Sequence, residues 1–460
     1  MFRSASIFLD DWLLEDGRLP LIVRGARQVG KTWIVRELAA RHNLALIELN
    51  FEDNPVFKTL FISNDPQQIL LNLSNLPGIK EIDPKKSLLF LDEVQTFPEM
   101  LAKLRWFAEK MPELPVIAAG SLLEFELAKQ SELAKRPYSM PVGRVEYMHL
   151  EPLSFVEFLQ AKGRDNLVSY LNMFNIDQEI PLAIHEQFMQ LFKEYLIVGG
   201  MPKAVEAWIT THSLDKVSRI QNNILASYRD DFNKYRGKID IDRLEDILQA
   251  IPKMLAEKFM YSNVNPLVKA EPLKKALDLM CMARICTKVK DTPANGVPLG
   301  AGSKGKAFKV IFLDVGLCST LLDLSLTKVN SLEDLSLINS GGISEQVVGQ
   351  LLRTIRPFYI EPRLFFWKRE EPGSEAEIDY VIQYQGSVIP IEVKAGATGK
   401  LKSLHYFMAL RKFPRAIRIN SDVPNLSMIT VKDEKNVEFK YQLISIPFYL
   451  ISELHRLLDS

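Results

Sequence analysis

The sequence predicts an α/β protein built from several domains, and three stretches carry that prediction. Residues 19–32, LPLIVRGARQVGKT, have the pattern of a buried strand, a glycine-containing loop and the start of a helix. Residues 87–95, SLLFLDEVQ, have the pattern of another buried strand that ends in two acids. Residues 377–394, EIDYVIQYQGSVIPIEVK, resemble two strands around a tight turn. Together they predict an N-terminal parallel sheet with helices on both faces and a separate C-terminal α/β domain.

The composition is that of an ordinary globular chain and limits function mainly by exclusion. Its 460 residues suggest roughly two to four domains. The zero net charge argues against a strongly basic protein that coats nucleic acid, although a local basic patch remains compatible with it. The cysteines, Cys281, Cys286 and Cys318, lack CxxC spacing and favour reduced thiols. Without an apolar run of membrane-spanning length or a signal-peptide core, the chain is expected to be cytoplasmic.

The first motif matches GxxxxGK[ST], the phosphate-binding loop. Its glycines permit backbone angles that let successive N–H groups point at one phosphate, and the following helix adds positive dipole charge. Lys31 is expected to reach the β- and γ-phosphates, and the Thr32 hydroxyl to bind Mg²⁺. The predicted nucleotide-binding residues are Gly25, Ala26, Arg27, Gln28, Val29, Gly30, Lys31 and Thr32.

Two acids follow the second strand and complete the predicted nucleotide site. Ligands of open α/β sheets bind at the carboxyl ends of the strands, so Asp92 should meet the Mg²⁺ held by Thr32. Glu93 is the expected general base that activates the attacking water. No guanine-reading NKxD-like segment follows the loop, which favours adenine as the base.

Two further polar residues have open roles. Ser121 follows a third predicted strand, Leu114–Ala119, and could contact the γ-phosphate or serve as a turn residue at the strand end. Arg144 could stabilise charge in the transition state, within its own chain or toward a neighbouring subunit. An ordinary surface arginine is the alternative.

The stretches GARQVGKT, LFLDEVQ, AAGS and VGRVEYMHLEPLSFVEFL together resemble the bacterial and archaeal AAA+-type ATPases of largely unknown role. Proteins of that family carry a C-terminal domain similar to PD-(D/E)xK nucleases. The resemblance implies ATP and Mg²⁺ as ligands of the loop, metal-binding and catalytic roles for Asp92 and Glu93, and a sensor role for Ser121. It covers most of the chain.

The middle of the chain has predominantly helical patterns. In residues 151–239 they predict a helical lid or linker that contains a Gly-Gly-Met-Pro turn. In residues 240–320 two amphipathic helices, Arg243–Phe259 and Pro272–Ile285, precede two strands around a glycine-rich loop. This arrangement, and the resemblance, predict a winged-helix-like module.

A basic stretch supports one of two interpretations of that module. Residues 269–309 contain nine Lys or Arg and three Asp or Glu. A helix pair with a basic hairpin is typical of a winged helix that contacts DNA phosphates. In the alternative, the module packs between domains and its basic loop is solvated.

The C-terminal stretch predicts a β-hairpin with a defined register. If residues 385–386 form a two-residue turn, Asp379 lies opposite Glu392 on the partner strand. Directly opposed residues have Cβ atoms roughly 4.5–5.5 Å apart. Two such carboxylates repel unless a cation lies between them, so they predict a second Mg²⁺ or Mn²⁺ site.

Two neighbouring residues complete a pattern similar to PD-(D/E)xK. Glu345 opens a predicted helix, and Lys394 lies on the same strand face as Glu392. In the alternative, Glu377 and Lys394 form a cross-strand salt bridge and the other acids are simply exposed. A nuclease fold can also serve binding without cleavage.

The domains are predicted as 1–150 (AAA+-type ATPase), 151–239 (helical), 240–320 (winged-helix-like) and 321–460 (restriction-endonuclease-like). The predicted function is a Mg²⁺-dependent ATPase coupled to a nuclease-like domain that could bind DNA. Two alternatives stay open: a nucleotide-switched module that binds DNA or protein without cutting, and an ATP-gated, metal-dependent nuclease. Homo-oligomers or protein partners are compatible with each, and no membrane partner is expected.

Overall fold

The computed structural model describes residues 1–79, 82–121, 141–233, 239–303, 305, 307–324, 341–369, 376–396 and 399–459. The chain forms two compact units. The first combines Met1–Glu151 with the later segments Met282–Arg284 and Pro357–Glu361, and the second contains the rest. No helix within the described residues is long and apolar enough to cross a membrane. The limits of the four domains stay predictions.

The first unit is built on parallel strands: β1 (Leu21–Arg24), β2 (Ala45–Asn50), β3 (Ser87–Asp92), β4 (Val116–Gly120) and β5 (Glu146–His149). They form a five-stranded sheet in the order β2-β3-β4-β1-β5. Every residue of β3 is buried, as expected of a strand covered on both faces. The predicted N-terminal parallel sheet is thus confirmed.

The described helices of this unit are α1 (Ala5–Leu14), α2 (Lys31–Arg41), α3 (Pro66–Ser74) and α4 (Glu99–Lys110), with 3₁₀ turns at Pro55–Phe61 and Val94–Thr96. Helix α4 buries Met100, Leu101, Leu104 and Phe107, the spacing of one helical face. These side chains join a core cluster with Leu89 and Leu91 of β3 and Val116 and Ala118 of β4. The core therefore fixes the strands whose carboxyl ends carry the predicted site.

The second unit begins with helices and ends with a large sheet. Its described α-helices are α5 (Phe155–Ala161), α6 (Asp165–Met173), α7 (Leu182–Val198), α8 (Pro202–Thr211), α9 (Leu214–Phe232), α10 (Ile241–Ala250), α11 (Tyr261–Val264), α12 (Ala270–Met282), α13 (Val315–Leu321), α14 (Gly342–Thr354), α15 (Lys402–Arg411) and α16 (Leu454–Asp459). Further 3₁₀ turns lie at Pro252–Met254 and Phe448–Glu453.

The Gly-Gly-Met-Pro segment turns the chain between α7 and α8, as predicted. A Cβ atom on Gly200 would lie 2.2 Å from the Leu153 carbonyl oxygen, and one on Gly199 would lie 2.1 Å from Asp314 Oδ1. The buried Asp314 accepts hydrogen bonds from the Gly200 N–H (2.6 Å) and from Gln350 Nε2 (3.2 Å). Close approach of the Leu153 backbone is therefore the physical reason for Gly200, and close approach of the Asp314 side chain is the reason for Gly199.

One predicted helix of the middle region is shorter than expected. The pattern over Arg243–Phe259 predicts continuous helix, whereas α10 ends at Ala250 and a 3₁₀ turn begins at Pro252. Proline cannot donate the backbone hydrogen bond that an α-helix needs, and its ring obstructs the preceding turn. The second predicted helix, Pro272–Ile285, corresponds to α12 with its limits shifted by two or three residues.

The sheet of the second unit contains β6 (Cys286–Asp291), β7 (Phe308–Phe312), β8 (Leu364–Lys368), β9 (Glu377–Tyr384), β10 (Ser387–Val393), β11 (Arg415–Asn420), β12 (Asn425–Lys432) and β13 (Glu438–Pro447). These strands form an eight-stranded sheet in the order β12-β13-β11-β10-β9-β8-β6-β7. Strands β6 and β7 pair antiparallel, as predicted. Since β6 also pairs with β8, this hairpin is one edge of the sheet.

The predicted C-terminal hairpin has the expected register. Strands β9 and β10 pair antiparallel from Ser387 opposite Tyr384 to Ile391 opposite Tyr380. Gln385 and Gly386 have φ angles of 44° and 77°, as a tight two-residue hairpin turn requires. The turn and the register predicted from the sequence are confirmed, and they bring Asp379 and Glu392 to the same end of the hairpin.

Candidate functional site

The predicted phosphate-binding loop connects β1 directly to α2. Gly25 leaves no room for a side chain, because its Cβ would lie 2.5 Å from the Leu150 carbonyl oxygen. Gln28 and Gly30 have φ angles of 66° and 99°, so the loop curls through left-handed conformations. Such a curl before a helix N-terminus can direct several backbone N–H groups toward one anion.

Lys31 folds back over this loop. Its ammonium group donates hydrogen bonds to the carbonyl oxygens of Gly25 (3.0 Å) and Ala26 (2.9 Å). The side chain is buried at the first position of α2. The positive charge therefore lies at the loop itself, where a bound phosphate would need it.

Thr32, in the first turn of α2, meets Asp92, the last residue of β3. The Thr32 hydroxyl donates a hydrogen bond of 2.8 Å to Asp92 Oδ2. The other oxygen, Oδ1, accepts from the Glu93 backbone N–H at 3.0 Å. Burial raises the pKa of Asp92, and the hydrogen bond from Thr32 opposes that shift. A cation bound at these two oxygen ligands would favour the ionised carboxylate.

Glu93 adopts an unusual backbone conformation beside this pair. Its φ of 54° lies in the left-handed region, which non-glycine residues seldom occupy outside strained or functional positions. The Gln95 side-chain amide donates a hydrogen bond to Glu93 Oε2. Gln95 lies against Gly120, where an added Cβ would be 2.4 Å from Gln95 Oε1. Gln95 was not predicted as a site residue, although it lies within the quoted DEVQ stretch.

Ser121 and Arg144 lie at opposite ends of the strands. Ser121 is buried directly after β4, at the carboxyl ends of the strands, where the loop also lies. Arg144 precedes β5, whose first residue pairs with Leu21 at the start of β1. Arg144 therefore lies at the amino ends of the strands, opposite the loop. Its Nε donates a hydrogen bond of 2.8 Å to Glu109. A role for Arg144 toward phosphates bound at the loop of its own chain is therefore inconsistent with the sheet.

An arginine near the N-terminus supports the loop from beneath. Arg3 is buried and donates hydrogen bonds to the carbonyl oxygens of Val29 (3.0 Å) and Glu151 (2.6 Å). No local pattern predicts this contact, because Arg3 and Val29 are separated by 26 residues.

The carboxylates predicted for the C-terminal site are held by the hairpin itself. Asp379 Oδ2 accepts a hydrogen bond of 2.7 Å from the Val393 backbone N–H. Lys394 Nζ donates one of 2.7 Å to Glu392 Oε1. Within the described part of the chain, the buried Glu392 Oε2 has no hydrogen-bond partner. The two strands thus bring Asp379, Glu392 and Lys394 together.

A cation absent from the prediction lies among these acids. The ammonium of Lys309, on β7, is 3.0 Å from Glu345 Oε2, 2.5 Å from Glu377 Oε1 and 3.9 Å from Asp379 Oδ1. Its side chain is only 4% exposed. The salt bridge between Glu377 and Lys394, which was the alternative to a metal site, does not form, since Glu377 pairs with Lys309 and Lys394 pairs with Glu392. The reason is the arrival of β7 beside the hairpin, which a local pattern does not reveal.

Burial and mutual repulsion favour the protonated forms of these acids. Burial raises the pKa of Glu345 to about 8 and that of Glu392 to about 7, and the charge of Asp379 adds to both shifts. Burial also raises the pKa of Asp379 itself, while Lys309 opposes that shift. The group is therefore a coupled network whose negative charge is already partly compensated.

The arrangement does not fit the second metal ion expected from the sequence. Among the described residues, no group of three or more His, Cys, Asp or Glu side chains could hold a metal ion. Two of the carboxylates expected to bind it, Glu345 and Asp379, lie beside the Lys309 ammonium, and the third, Glu392, pairs with Lys394. Charge compensation, which motivated the metal prediction, is supplied by the protein.

Comparisons with known proteins cover the chain in parts. Residues 17–159 match the family model of an AAA domain, and residues 189–328 and 340–449 match two different domains of unknown function. No curated protein matches the chain. The N-terminal part is therefore similar to an AAA domain, whereas the descriptions of the two families matched by the later parts state no function.

Solved structures similar to the chain include a Walker-type ATPase of Pyrococcus abyssi, at 15% identity and a TM-score of 0.43, covering 70% of this chain and 95% of that one. An ORC1 protein of Aeropyrum pernix in complex with DNA has 13% identity and a TM-score of 0.26, and the match covers 69% of this chain and 90% of that one. A STAND protein with a tetratricopeptide repeat sensor, from Pyrococcus horikoshii, has 11% identity and a TM-score of 0.26, and the match covers 77% of this chain and 46% of that one.

Proposed function

We propose that the AAA-type domain at residues 17–159 binds ATP together with Mg²⁺ and hydrolyses it at the loop of residues 25–32. The observation that supports this most directly is the 2.8 Å hydrogen bond between the Thr32 hydroxyl and Asp92 Oδ2. Two oxygen ligands from neighbouring elements thus meet beside a loop suited to phosphate. That pairing is what a Mg²⁺–nucleotide site requires.

Each residue has a distinct role in this proposal. Backbone N–H groups of the loop bind the phosphates, and Lys31 exchanges its carbonyl partners for phosphate oxygens. Thr32 and Asp92 would hold Mg²⁺, which neutralises charge on the phosphates when it is bound. Glu93 takes a proton from the attacking water, and Gln95 orients the Glu93 carboxylate.

Ser121 and Arg144 have supporting roles in the proposal. Ser121 follows the strand between β3 and β1, so its hydroxyl would contact the γ-phosphate or the attacking water. Arg144 would act on the nucleotide of a neighbouring chain, since its own loop lies at the other edge of the sheet. The active form would then be a homo-oligomer.

Removing the Lys31 ammonium group tests the nucleotide site. Lys31→Ala should weaken ATP binding by about 100-fold or more, because the phosphates lose a buried charged partner. Binding of a fluorescent ATP analogue measures this, and thermal unfolding shows whether the fold survives. Lys86→Ala is a matched control at an exposed lysine of the same unit. Unchanged ATP affinity in a folded Lys31→Ala protein would exclude the proposed site.

For the C-terminal part we propose a nucleotide-switched binding module, with DNA as the candidate partner, that does not cut. The arrangement favouring this over a metal-dependent nuclease is the Lys309 ammonium among the carboxylates that cleavage would need. A nuclease-like fold kept for binding alone is compatible with it.

Supercoiled plasmid distinguishes these two functions. The protein is incubated with the plasmid and Mg²⁺ or Mn²⁺, with and without ATP. The plasmid should stay uncut, and the protein should bind it in a complex that added salt dissociates. Cleavage that disappears in Asp379→Ala and Glu392→Ala would instead establish the ATP-gated nuclease. Failure to retain DNA would point to a protein partner.

A further inference from the structure

Lys309 occupies a site that several elements build together. It projects from β7, while its acidic partners come from α14 (Glu345) and from β9 (Glu377 and Asp379). The ring of Phe366, on β8, lies 5.6 Å from the ammonium nitrogen. An ammonium over an aromatic face and beside carboxylates is favourably placed.

Burial makes this contact different from a surface ion pair. The Lys309 side chain is 4% exposed, against 43% for Lys368, which approaches the same Glu377 at 3.8 Å from outside. A buried ammonium is stable only when its charge and its donors are matched. Lys309 is therefore a fixed part of the carboxylate cluster.

We infer that the Lys309 ammonium is a built-in cation that takes the place of a divalent metal ion between Glu345, Glu377 and Asp379. The protein thus keeps two acids of the nuclease-like pattern, Glu345 and Asp379, while the ammonium between them excludes the metal. This inference concerns the C-terminal sheet only and does not depend on ATP hydrolysis at the loop.

Removal of the ammonium should uncover a metal site. Without Lys309, three partly buried acids lose their common counter-charge, and hard oxygen ligands of this kind suit Mg²⁺ or Mn²⁺. The buried Glu392 Oε2, which has no hydrogen-bond partner among the described residues, offers a further ligand atom nearby. Methionine keeps most of the apolar part of the lysine side chain but lacks its terminal nitrogen, so both the charge and the atom at the ammonium position are removed.

The test measures the binding of Mn²⁺ alone to the full, nucleotide-free chain. Binding is detected as the loss of the electron paramagnetic resonance signal of free Mn²⁺. Lys309→Met should bind one more Mn²⁺ per chain than the wild-type protein. The added site should disappear in the double variant Lys309→Met/Asp379→Asn. Lys368→Met is the matched control and should gain no site, since its lysine contacts the cluster only from the surface.

Two outcomes would overturn the inference. One is a Mn²⁺ site in the wild-type protein that Asp379→Asn removes. The other is a folded Lys309→Met protein that gains no site. ATP binding in Lys309→Met should equal that of the wild type, so a failure here is separate from a failure of the nucleotide site.

A further measurement applies if Lys309→Met does not fold. For each protein, the melting temperature is measured in excess Mn²⁺ and in chelator. The difference between the two conditions should be no larger for the wild type than for Asp379→Asn. A Mn²⁺-induced rise in the wild type that is absent from Asp379→Asn would show that a metal binds beside Lys309 and would refute the built-in cation.

Discussion

At the proposed nucleotide site, the reactive side chains are already held by the protein. Lys31 is bound to two carbonyl oxygens of its own loop, and Asp92 is bound by Thr32 and by the Glu93 N–H. Ligand binding there exchanges one set of contacts for another instead of ordering free side chains. Such preorganisation reduces the entropy lost on binding.

Glu93→Gln should separate nucleotide binding from hydrolysis. The amide cannot accept a proton from water, so turnover should fall by about 10²- to 10⁴-fold while ATP affinity changes little. Single-turnover hydrolysis and ATP binding, measured on the same sample, check both parts.

Glu113→Gln is the control for this substitution. Glu113 is exposed before β4, at the amino end of a strand, and its loss should leave turnover unchanged. Equal turnover in Glu93→Gln and wild type would remove Glu93 from its proposed role.

The sequence predicts the local conformation of a residue well when its partners are close to it along the chain. The loop residues 25–32 share one short motif, and their fold follows from it. Lys309 and Arg3 contact residues 26 or more positions away, so no window along the chain contains both partners. These contacts exist only once the strands are assembled.

Among the elements, the hairpin of β9 and β10 was predictable in detail. A glycine in a two-residue turn fixes the register, and the register fixes which side chains are neighbours. Helix limits were less predictable, because the periodicity of residues 243–259 continues past Pro252 while the α-helix does not.

Gly200→Ala should destabilise the second unit. The added Cβ would lie 2.2 Å from the Leu153 carbonyl oxygen, and backbone there must move to relieve the overlap. Overpacking of this kind costs about 1–3 kcal/mol. Denaturant unfolding of the full chain, followed by a probe of the second unit, measures the loss.

Gly300→Ala is the corresponding control. A Cβ there would come no closer than 3.8 Å to Phe365, so the free energy of unfolding should change by less than about 0.5 kcal/mol. If both substitutions had the same effect, close packing would not explain Gly200.

For the whole molecule, the sheet orders decide which residues can cooperate. The first unit places Ser121 at the edge of the loop and Arg144 at the other edge. The pattern of apolar runs predicts strands but not their order, so the sequence left a role for Arg144 within its own chain open. The parallel pairing of β1 with β5 removes that option, because it puts Arg144 at the amino ends of the strands and the loop at their carboxyl ends.

If Arg144 completes the site of a neighbouring chain, hydrolysis should depend on association. Specific ATPase activity should rise with protein concentration, and Arg144→Ala should lower it by about 10³-fold. Mixing Arg144→Ala with Lys31→Ala should restore part of the activity, since some mixed sites then contain both groups.

Arg105→Ala is a close control, because Arg105 contacts the same Glu109 oxygen at 2.9 Å and is similarly exposed. It should retain activity. A concentration-independent rate that Arg144→Ala leaves unchanged would make Arg144 an ordinary surface residue.

The edge hairpin of the large sheet has a practical consequence for dissecting the protein. A fragment that starts at residue 321 would lack β6 and β7, although Val289 of β6 pairs with Leu364 of β8. The truncation would leave an unpaired strand edge, which promotes aggregation. It would also remove Lys309 and leave its acids without their counter-charge. Expression fragments of the C-terminal part should therefore begin before residue 286.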